Sequence, residues 1–283
     1  MSEEHCPASL CTVADSQYKD ELVLMLTSFR QHHRVPAYVV CDPTTADHLR
    51  AAFGDGGVHL LPIIDPRRTA VLRGGLGSHP AYDAAYRDMV RDKTVAIEAA
   101  LSHHASTLYA DCDVTFLEPV GDIFSEGADI TLSEHDIDAG AVVLNGRFNA
   151  GYVGVRNQAF APWWRKAQKY GEFYDQKCLD DARQGFSIEL FPSTHNFGWW
   201  RGFCDGLRGR ERLASFEFRD GAIRVGGEPI ISVQTHLLAA CWSPGAHARI
   251  DAFNTIFLAC LAASTVPAHC ELLAFIENKA ARV

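Results

Sequence analysis

The sequence predicts an α/β fold in which helices flank a mainly parallel central sheet, with a small antiparallel element and helices near the C-terminus. Short strand-forming runs alternate with amphipathic helical segments through the first half of the chain, which is typical of βαβ units. An Asp-Gly pair at 220–221, between two strand-forming runs, predicts an antiparallel hairpin. Apolar segments at 250–263 and 270–280 predict the C-terminal helices.

The first half supplies three buried-strand candidates, at 11–14, 37–41 and 58–64. A helix is predicted over 20–32, because its apolar residues recur at helical spacing and its first turn carries Asp20 and Glu21. A second helix over 88–103 leads into a strand over 107–117. Because parallel sheets bind ligands at the carboxyl ends of their strands, we expect a site near the end of this strand.

The second half is less regular. Its predicted strands lie at 129–133, 151–155 and 230–235, with a hairpin over 215–225 and a helix over 160–173. Two glycine-containing stretches, at 73–79 and 201–212, are expected to be mobile surface loops.

The length and composition are those of a chain with one large core. It has 283 residues, 47% of them hydrophobic, and no linker or low-complexity tract divides it. We therefore expect a single domain over 1–283, with a core at about 11–240 and a helical appendage over 245–283.

Charge and cysteine content narrow the functional classes. The N-terminus has neither a basic start nor an apolar stretch, so no signal peptide is predicted. The apolar segment 250–263 is too short to cross a bilayer. Nine cysteines without a Cys-x-x-Cys pair indicate reduced thiols in a cytoplasmic protein. A net charge of −9 argues against a nucleic-acid partner. Any phosphate bound here must therefore be neutralised locally.

The most informative segment is 107–117, a strand-forming run that contains two carboxylates one residue apart. In an extended strand, Asp111 and Asp113 would point to the same face, about 7 Å apart at their Cα atoms. A hard cation such as Mn²⁺ or Mg²⁺, with diphosphate oxygens as further ligands, would remove their repulsion. A solvated surface turn is the competing interpretation.

Five segments occur in order along the chain: Ala14-Asp-Ser-Gln-Tyr18, Tyr109-Ala-Asp-Cys-Asp113, Phe148-Asn-Ala-Gly151, Asp175-Gln176 and His236. Together they resemble the nucleotide-sugar glycosyltransferases of the GT-A fold, most closely the retaining enzymes of family 8 and related nucleotide-diphospho-sugar transferases. The resemblance covers about residues 11–240. It implies transfer of a sugar from a nucleotide diphosphate sugar, with a UDP-sugar favoured, to a glycan or small-molecule acceptor, with retention.

The resemblance also implies roles for individual residues. The metal ligands are Asp111, Asp113 and His236, for Mn²⁺ or Mg²⁺. The nucleotide-binding residues are Ala14, Asp15, Tyr18 and Cys112, joined by Lys93, whose place ahead of the metal motif suggests a diphosphate contact. The donor-sugar residues are Asn149, Ala150 and Gly151, with Asp175 and Gln176 beneath the sugar as the catalytic pair.

These residues have physical interpretations of their own. Tyr18 would stack on a uracil ring while Asp15 accepts its imide N–H; a tyrosine on a surface turn is the alternative. Asn149 offers a donor and an acceptor to a sugar hydroxyl, and Gly151 allows close backbone approach. A turn without a ligand is the alternative for this pair, and a helix N-terminal acid is the alternative for Asp175.

Two features depart from the family pattern or stay open. The run after His236 lacks the family's diphosphate-binding lysine, and the arginines that would replace it are Arg201, Arg208, Arg210 or Arg212. The aromatic segment 191–200 either offers a platform for a sugar acceptor or forms a packed cluster through Trp199 and Trp200.

Other classes are also compatible with parts of the sequence. Asp111-Cys-Asp-Val-Thr115 matches the first motif of haloacid-dehalogenase-like phosphatases, although that family needs it on an early strand and a later acidic pair directly after an apolar strand. Here the acidic pair Asp180-Asp181 lies in a polar, helix-like run. A non-catalytic nucleotide-sugar-binding module is a third interpretation. The C-terminal helices would pack on the domain or form a homodimer face.

Overall fold

The computed structural model describes residues 7–68, 80–121, 123–124, 127–167, 175–203, 206–239 and 246–281. The strands are β1 Leu10–Ala14, β2 Ala37–Cys41, β3 Val58–Leu61, β4 Thr107–Ala110, β5 Val114–Phe116, β6 Ile130–Glu134, β7 Phe148–Val155, β8 Ile188–Leu190, β9 Phe197–Gly198, β10 Glu217–Arg219, β11 Ala222–Val225, β12 Glu228–Pro229 and β13 Ser232–Gln234. Seven of them form a central sheet in the order β3-β2-β1-β4-β7-β6-β8.

The central sheet is mainly parallel, as the sequence predicts. Strands β3, β2, β1 and β4 run parallel to one another, and β8 runs parallel to β6. Strand β7 lies between β4 and β6 and is antiparallel to both, which the sequence pattern did not predict. As a result, the N-terminal end of β7 lies at the edge of the sheet where β4 ends.

The described helices are α1 Lys19–His32, α2 Pro43–Phe53, α3 Pro80–Leu101, α4 Ala139–Asn145, α5 Phe160–Ala167, α6 Gly206–Ala214, α7 His247–Ala263 and α8 Pro267–Ala280, with 3₁₀ segments at Lys177–Gln184 and Trp199–Gly202. Helix α1 confirms its prediction, and α3 begins earlier than expected. Helix α2 was missed; it is started by Asp42, whose side chain accepts the Thr45 N–H at 2.8 Å.

The helices cover both faces of the sheet. Along β4, Tyr109 packs in a cluster with residues of α3 and α5, while Leu108 and Ala110 pack in a cluster with residues of α1 and α2. This alternation is the one expected for a strand buried on both faces.

The hairpin near the C-terminal third is confirmed. Strands β10 and β11 pair antiparallel across Asp220 and Gly221, whose φ angles are 52° and 78°. Two central residues with positive φ match a type I′ turn, which follows the twist of the strands. The hairpin belongs to a small sheet with the order β10-β11-β12, and a second small sheet has the order β5-β13-β9.

Two sequence-based predictions are wrong. The strand predicted over 107–117 breaks after Ala110: a turn closed by Val114 N–H on the Asp111 carbonyl, at 3.1 Å, leads into β5 of another sheet. The simple alternation expected for Asp111 and Asp113 therefore does not apply. The loop predicted over 201–212 contains α6, in which Leu213 packs against the cluster of the C-terminal helices while Leu207 is exposed. The stretch 73–79 lies outside the described residues, as does the end of the helix predicted over 160–173.

The C-terminal helices pack on the rest of the chain. Phe253 and Phe257 of α7 and Leu272 of α8 are buried in one cluster with Ile223 and Val233. A homodimer through these helices stays a prediction. Within the described part of the chain, no helix combines the length and apolar character needed to span a membrane.

Candidate active site

The predicted site residues converge at one edge of the central sheet. Asp15 follows β1 and Asp111 follows the parallel neighbour β4, so both stand at carboxyl ends of strands. The Asp111 N–H donates to the Gly151 carbonyl at 2.8 Å, which joins the acidic turn to the Asn-Ala-Gly segment of β7. A ligand at this edge would meet both segments, as expected for an open α/β sheet.

A bulge in β7 carries the segment predicted to bind the donor sugar. Leu132 pairs with Val153 and Ser133 pairs with Asn149, so three residues of β7 have no counterpart on β6. A Cβ atom at Gly151 would lie 2.6 Å from Asp111 Oδ2 and 2.9 Å from Asn149 Oδ1. The close backbone approach predicted for Gly151 is therefore already present, and it is made by side chains of the protein itself.

Lys93 of α3 lies beneath the site and joins two predicted functional carboxylates. Its Nζ atom is 3.0 Å from Asp111 Oδ1 and 2.8 Å from Asp175 Oδ2, and it donates to the Ala150 carbonyl at 3.3 Å. Lys93 and Asp175 are both buried. A buried cation between two acids offsets charges that would otherwise repel. Lys93, which the sequence analysis assigned to the diphosphate, thus pairs with two carboxylates of the protein itself.

Asp113 and His236 form the second half of the acidic site. Asp113 Oδ2 lies 3.7 Å from His236 Nε2, and Asp113 Oδ1 accepts the Gln234 side-chain N–H at 3.0 Å. Burial raises the pKa of Asp113; the neighbouring His236 opposes this shift and the charge of Asp111 adds to it. A carboxyl so placed favours a bound cation, because a positive charge would reverse the penalty of burial.

The donor types suit a hard divalent cation. Two carboxylates and one imidazole are ligands that Mn²⁺ accepts, and Mg²⁺ accepts the carboxylates. The buried Oε1 atom of Gln234, beside Asp113, has no hydrogen-bond donor among the described residues, which also favours a cation nearby. However, in the described part of the chain no three His, Cys, Asp or Glu side chains are grouped as a ready metal site, because Asp111 turns to Lys93 and to the Tyr109 hydroxyl at 2.6 Å.

The predicted donor-sugar amides are held in a buried hydrogen-bond network. Asn149 Oδ1 accepts the Gly151 N–H at 2.7 Å and the Asn196 side-chain N–H at 3.1 Å. Its Nδ2 atom lies 3.4 Å from Gln176 Oε1 and 3.3 Å from His135 Nε2, both of which can accept its hydrogens. Burial lowers the pKa of His135, which suits a neutral ring that accepts this hydrogen bond.

The predicted nucleotide-binding residues lie on the other side of the acidic turn. The ring of Tyr18 is 5.8 Å from the ring of His236. Asp15 accepts the Gln17 N–H at 2.9 Å and follows the buried Ala14 at the end of β1. Cys112 packs partly into the core cluster of α1, and burial raises the pKa of its thiol. The role of these residues with a nucleotide stays a prediction.

Sequence reasoning missed two residues that hold the segment after β13. Glu21, assigned to a helix N-terminus, is buried, and its Oε1 atom accepts the N–H groups of Leu238 and Ala239 at 2.7 and 3.0 Å. Burial raises its pKa to about 7. Asn254 of α7 donates to the His236 carbonyl at 2.7 Å. The sequence shows an acid at position 21 and an amide at position 254, but no local pattern indicates that they contact residues 236–239.

The arginines and tryptophans left open by the sequence now have partners. Arg201 is buried and donates to the Ser193 and Glu134 carbonyls, each at 2.6 Å. Arg208 and Arg212 pair with Asp136, and Arg210 is exposed. Trp200 packs over Gly198 and donates to the His135 carbonyl at 2.9 Å, while Trp199 packs on Ala246 and Ile250. The packed-cluster interpretation therefore fits both tryptophans.

The fold is similar to that of solved glycosyltransferases. The galactosyltransferase LgtC, in complex with donor and acceptor sugar analogues, aligns with a TM-score of 0.54 at 13% identity, over 87% of this chain and 95% of its own. An active-site mutant of LgtC gives a TM-score of 0.54 at 14% identity, over 92% and 97%. Mouse xyloside xylosyltransferase 1, in its apo form, gives 0.52 at 12%, over 83% and 100%. No family model matches the chain, and no curated protein matches it in sequence.

These likenesses establish the class of fold. The chain has the GT-A fold of nucleotide-sugar glycosyltransferases, and the fold prediction is confirmed. Asp111 follows the fourth strand of the chain, whereas the phosphatase motif requires an early strand. Asp180 accepts the Arg147 N–H at 2.9 Å and lies in a 3₁₀ segment, so it does not supply the acidic pair that a phosphatase needs.

Proposed function

We propose that this protein is a metal-dependent glycosyltransferase that moves a sugar from a UDP-sugar to a glycan or small-molecule acceptor, with retention of anomeric configuration. The GT-A fold supports glycosyl transfer. The observation that carries the proposal is the contact of one lysine, Lys93, with both Asp111 of the acidic turn and Asp175 of the predicted catalytic pair. Lys93 therefore links Asp111, in the part of the proposed site that would bind the leaving diphosphate, to Asp175, in the part that would bind the sugar.

The nucleotide half lies around the end of β1. Tyr18 stacks on the uracil ring in this proposal, and Asp15 accepts its imide N–H. Ala14 and Cys112 contribute backbone and packing contacts at the same place. The position of Tyr18 beside His236 supports this arrangement, because it places a base-stacking ring next to a proposed metal ligand.

Asp111, Asp113 and His236 are the residues that would hold Mn²⁺ or Mg²⁺. When bound, the ion would act as a Lewis acid that neutralises charge on the departing diphosphate. Lys93 adds a fixed positive charge beneath this region, in a chain whose net charge is −9. In this proposal, the bound metal ion and Lys93 together supply the positive charge that a diphosphate needs at the surface of an acidic protein.

The sugar half is built from amides and one acid. Asn149 would donate from Nδ2 to a sugar hydroxyl in exchange for its long contact with Gln176 Oε1, at 3.4 Å, while its Oδ1 atom stays occupied by Gly151 and Asn196. Ala150 and Gly151 provide a backbone surface without bulky side chains. Asp175 accepts a hydroxyl hydrogen bond or supports positive charge at the anomeric carbon as the transition state gains oxocarbenium character.

Retention is proposed from the resemblance to the retaining enzymes of family 8. Because the amide oxygen of Gln176 is poorly suited to a covalent intermediate, we favour a mechanism in which the acceptor attacks the face from which the diphosphate leaves. The bond from the anomeric carbon to the diphosphate oxygen breaks, and the bond to the acceptor oxygen forms. The acceptor's proton passes to a diphosphate oxygen.

Donor turnover tests the proposal. Purified protein with Mn²⁺ would be incubated with UDP-, GDP-, TDP- and CDP-sugars, and the released nucleoside diphosphate would be measured. We expect release of UDP, and we expect Asp113→Ala to lower it about 100-fold or more, because several kcal/mol of leaving-group stabilisation are lost. Asp47→Ala is the matched control, since Asp47 is an exposed acid on α2 that pairs with Arg50 of the same helix.

Each other outcome has a meaning for the proposal. Full activity of Asp113→Ala would contradict the metal role. Binding of UDP without turnover of any donor would favour a non-catalytic module. Cleavage of p-nitrophenyl phosphate in place of UDP-sugars would favour the phosphatase. NMR of the transferred sugar's anomeric configuration tests retention.

A further inference from the structure

We infer that Glu21 and Asn254 are positioning residues that hold the peptide around His236 in place for metal binding. This inference rests on the proposed function, because it takes His236 as a metal ligand. It assigns a role in the site to the first turn of α1 and to the C-terminal helix α7, neither of which carries a predicted ligand.

Glu21 fixes the peptide that follows His236. Its carboxylate is 2% exposed, and a single oxygen accepts two consecutive backbone N–H groups, from Leu238 and Ala239. Two such bonds to one buried oxygen restrain the peptide, because a buried backbone donor left without a partner would be costly. A buried carboxylate without such partners would be costly, so its presence here points to a specific task.

Asn254 fixes the residue pair 235–236 from the opposite side. Its Nδ2 atom donates to the His236 carbonyl at 2.7 Å, and its Oδ1 atom accepts the Thr235 hydroxyl at 2.6 Å. The Thr235 N–H in turn donates to the Asp113 carbonyl at 3.1 Å. The backbone of His236 is thus tied to Asn254, and its neighbour is tied to the other proposed ligand.

Together these contacts restrain His236 on both sides along the chain. The anchors come from three elements far apart in sequence: α1, the acidic turn and α7. Residues that orient metal ligands from outside the coordination sphere commonly change metal affinity by about 10–100-fold. Glu21 and Asn254 act on the backbone of the ligand segment, so their effect should require the His236 imidazole.

The test is a double-mutant cycle read by Mn²⁺ affinity, measured by calorimetry and by the electron paramagnetic resonance signal of free Mn²⁺. Glu21→Ala and Asn254→Ala should each weaken Mn²⁺ binding about 10-fold or more. In a His236→Ala background, either change should have little further effect, within about twofold, because the ligand being positioned is gone. Glu21→Gln, which keeps an acceptor oxygen, should restore most of the affinity.

Matched controls separate positioning from general damage. Asp20→Ala removes the adjacent acid of α1, which pairs with Lys279 of α8, and leaves the His236 segment untouched. Asn278→Ala removes an asparagine whose side chain bonds within its own helix, at the Ala274 carbonyl. Both should bind Mn²⁺ as the wild type does. If Asn254→Ala does not fold, Thr235→Val removes the hydroxyl bond to Asn254 with little change of shape.

A metal-free readout distinguishes this inference from the proposed function. The ring signals of His236 in ¹H–¹³C NMR spectra should shift or broaden in Glu21→Ala and Asn254→Ala and stay unchanged in both controls. Unchanged ring signals, or equal losses of Mn²⁺ affinity with and without His236, would overturn the inference. A wild-type protein that binds no Mn²⁺, with the NMR changes present, would instead overturn the metal role in the proposed function.

Discussion

Lys93 Nζ lies 2.8 Å from Asp175 Oδ2, and both side chains are about nine-tenths buried. The pair connects helix α3 to the proposed catalytic residues Asp175 and Gln176, which directly precede the 3₁₀ segment Lys177–Gln184. Because Lys93 also contacts Asp111, a single ammonium group links the acidic turn to Asp175, in the proposed sugar-binding part of the site. Replacement of Lys93 should therefore affect both the stability and the activity of the protein.

Replacing Lys93 should destabilise the protein and abolish activity together. Lys93→Met leaves the buried Asp175 carboxylate without its cation, and removal of one partner of a buried pair typically lowers the free energy of unfolding by about 3 kcal/mol. Urea unfolding measures this change. The double variant Lys93→Met/Asp175→Asn should regain part of the stability without regaining UDP release. A Lys93→Met protein as stable as the wild type would contradict the structural role.

A methyl group at Gly151 should disrupt the site. The new Cβ would lie 2.6 Å from Asp111 Oδ2 and 2.8 Å from Gln234 Nε2, so these side chains must move. We expect Gly151→Ala to lose about 1–3 kcal/mol of stability, as for overpacked positions, and to lose most turnover. Thermal unfolding and UDP release measure the two effects. Gly185→Ala is the control, since a Cβ there meets nothing within 4 Å, and equal behaviour of the two variants would refute the close approach.

The stability of the protein should fall in mild acid because of His195. Burial, with the charge of Arg201 as a second cause, lowers the pKa of His195 from 6.5 to about 4. Between these values the unfolded chain binds a proton that the folded protein does not, so stability decreases as the pH falls through this window. From pH 7 to pH 5 this residue should account for a loss of about 2 kcal/mol.

His195→Phe isolates this contribution. Phenylalanine keeps the ring stacked on Phe191, at a centroid distance of 5.3 Å in the wild type, and cannot take up a proton. Urea unfolding at pH 7 and pH 5 should show a smaller loss for the variant than for the wild type. Parallel losses in both proteins would mean that His195 is not the group responsible.

The sequence predicted the parts of the site that depend on local order. Strand-forming runs predicted a mainly parallel sheet with a site at the carboxyl end of the strand before Asp111, and β4 ends there. The pairing of β1 with β4, which brings Asp15 to the same edge, came from the structure. The hairpin at Asp220 and Gly221 was predicted for the same kind of reason, since its turn needs residues that tolerate positive φ.

Other parts depend on contacts between residues far apart in the chain. The break after Ala110 occurs because β5 pairs with β13, more than a hundred residues later, and no local pattern encodes that pairing. Glu21 has the appearance of an ordinary helix N-terminal acid until Leu238 and Ala239 are seen to donate to it. Lys93 was predicted to contact the diphosphate, whereas its contacts with Asp111 and Asp175 could be found only from the structure.

Calorimetric titration of UDP, with and without Mn²⁺, tests the central claim most directly. The account predicts one UDP site per chain whose affinity requires Mn²⁺, is removed by EDTA and by Asp113→Ala, and is retained in Asp47→Ala. Binding of UDP with equal affinity in EDTA, or no binding when Mn²⁺ is present, would contradict the claim that the acidic turn holds a nucleotide diphosphate through a metal.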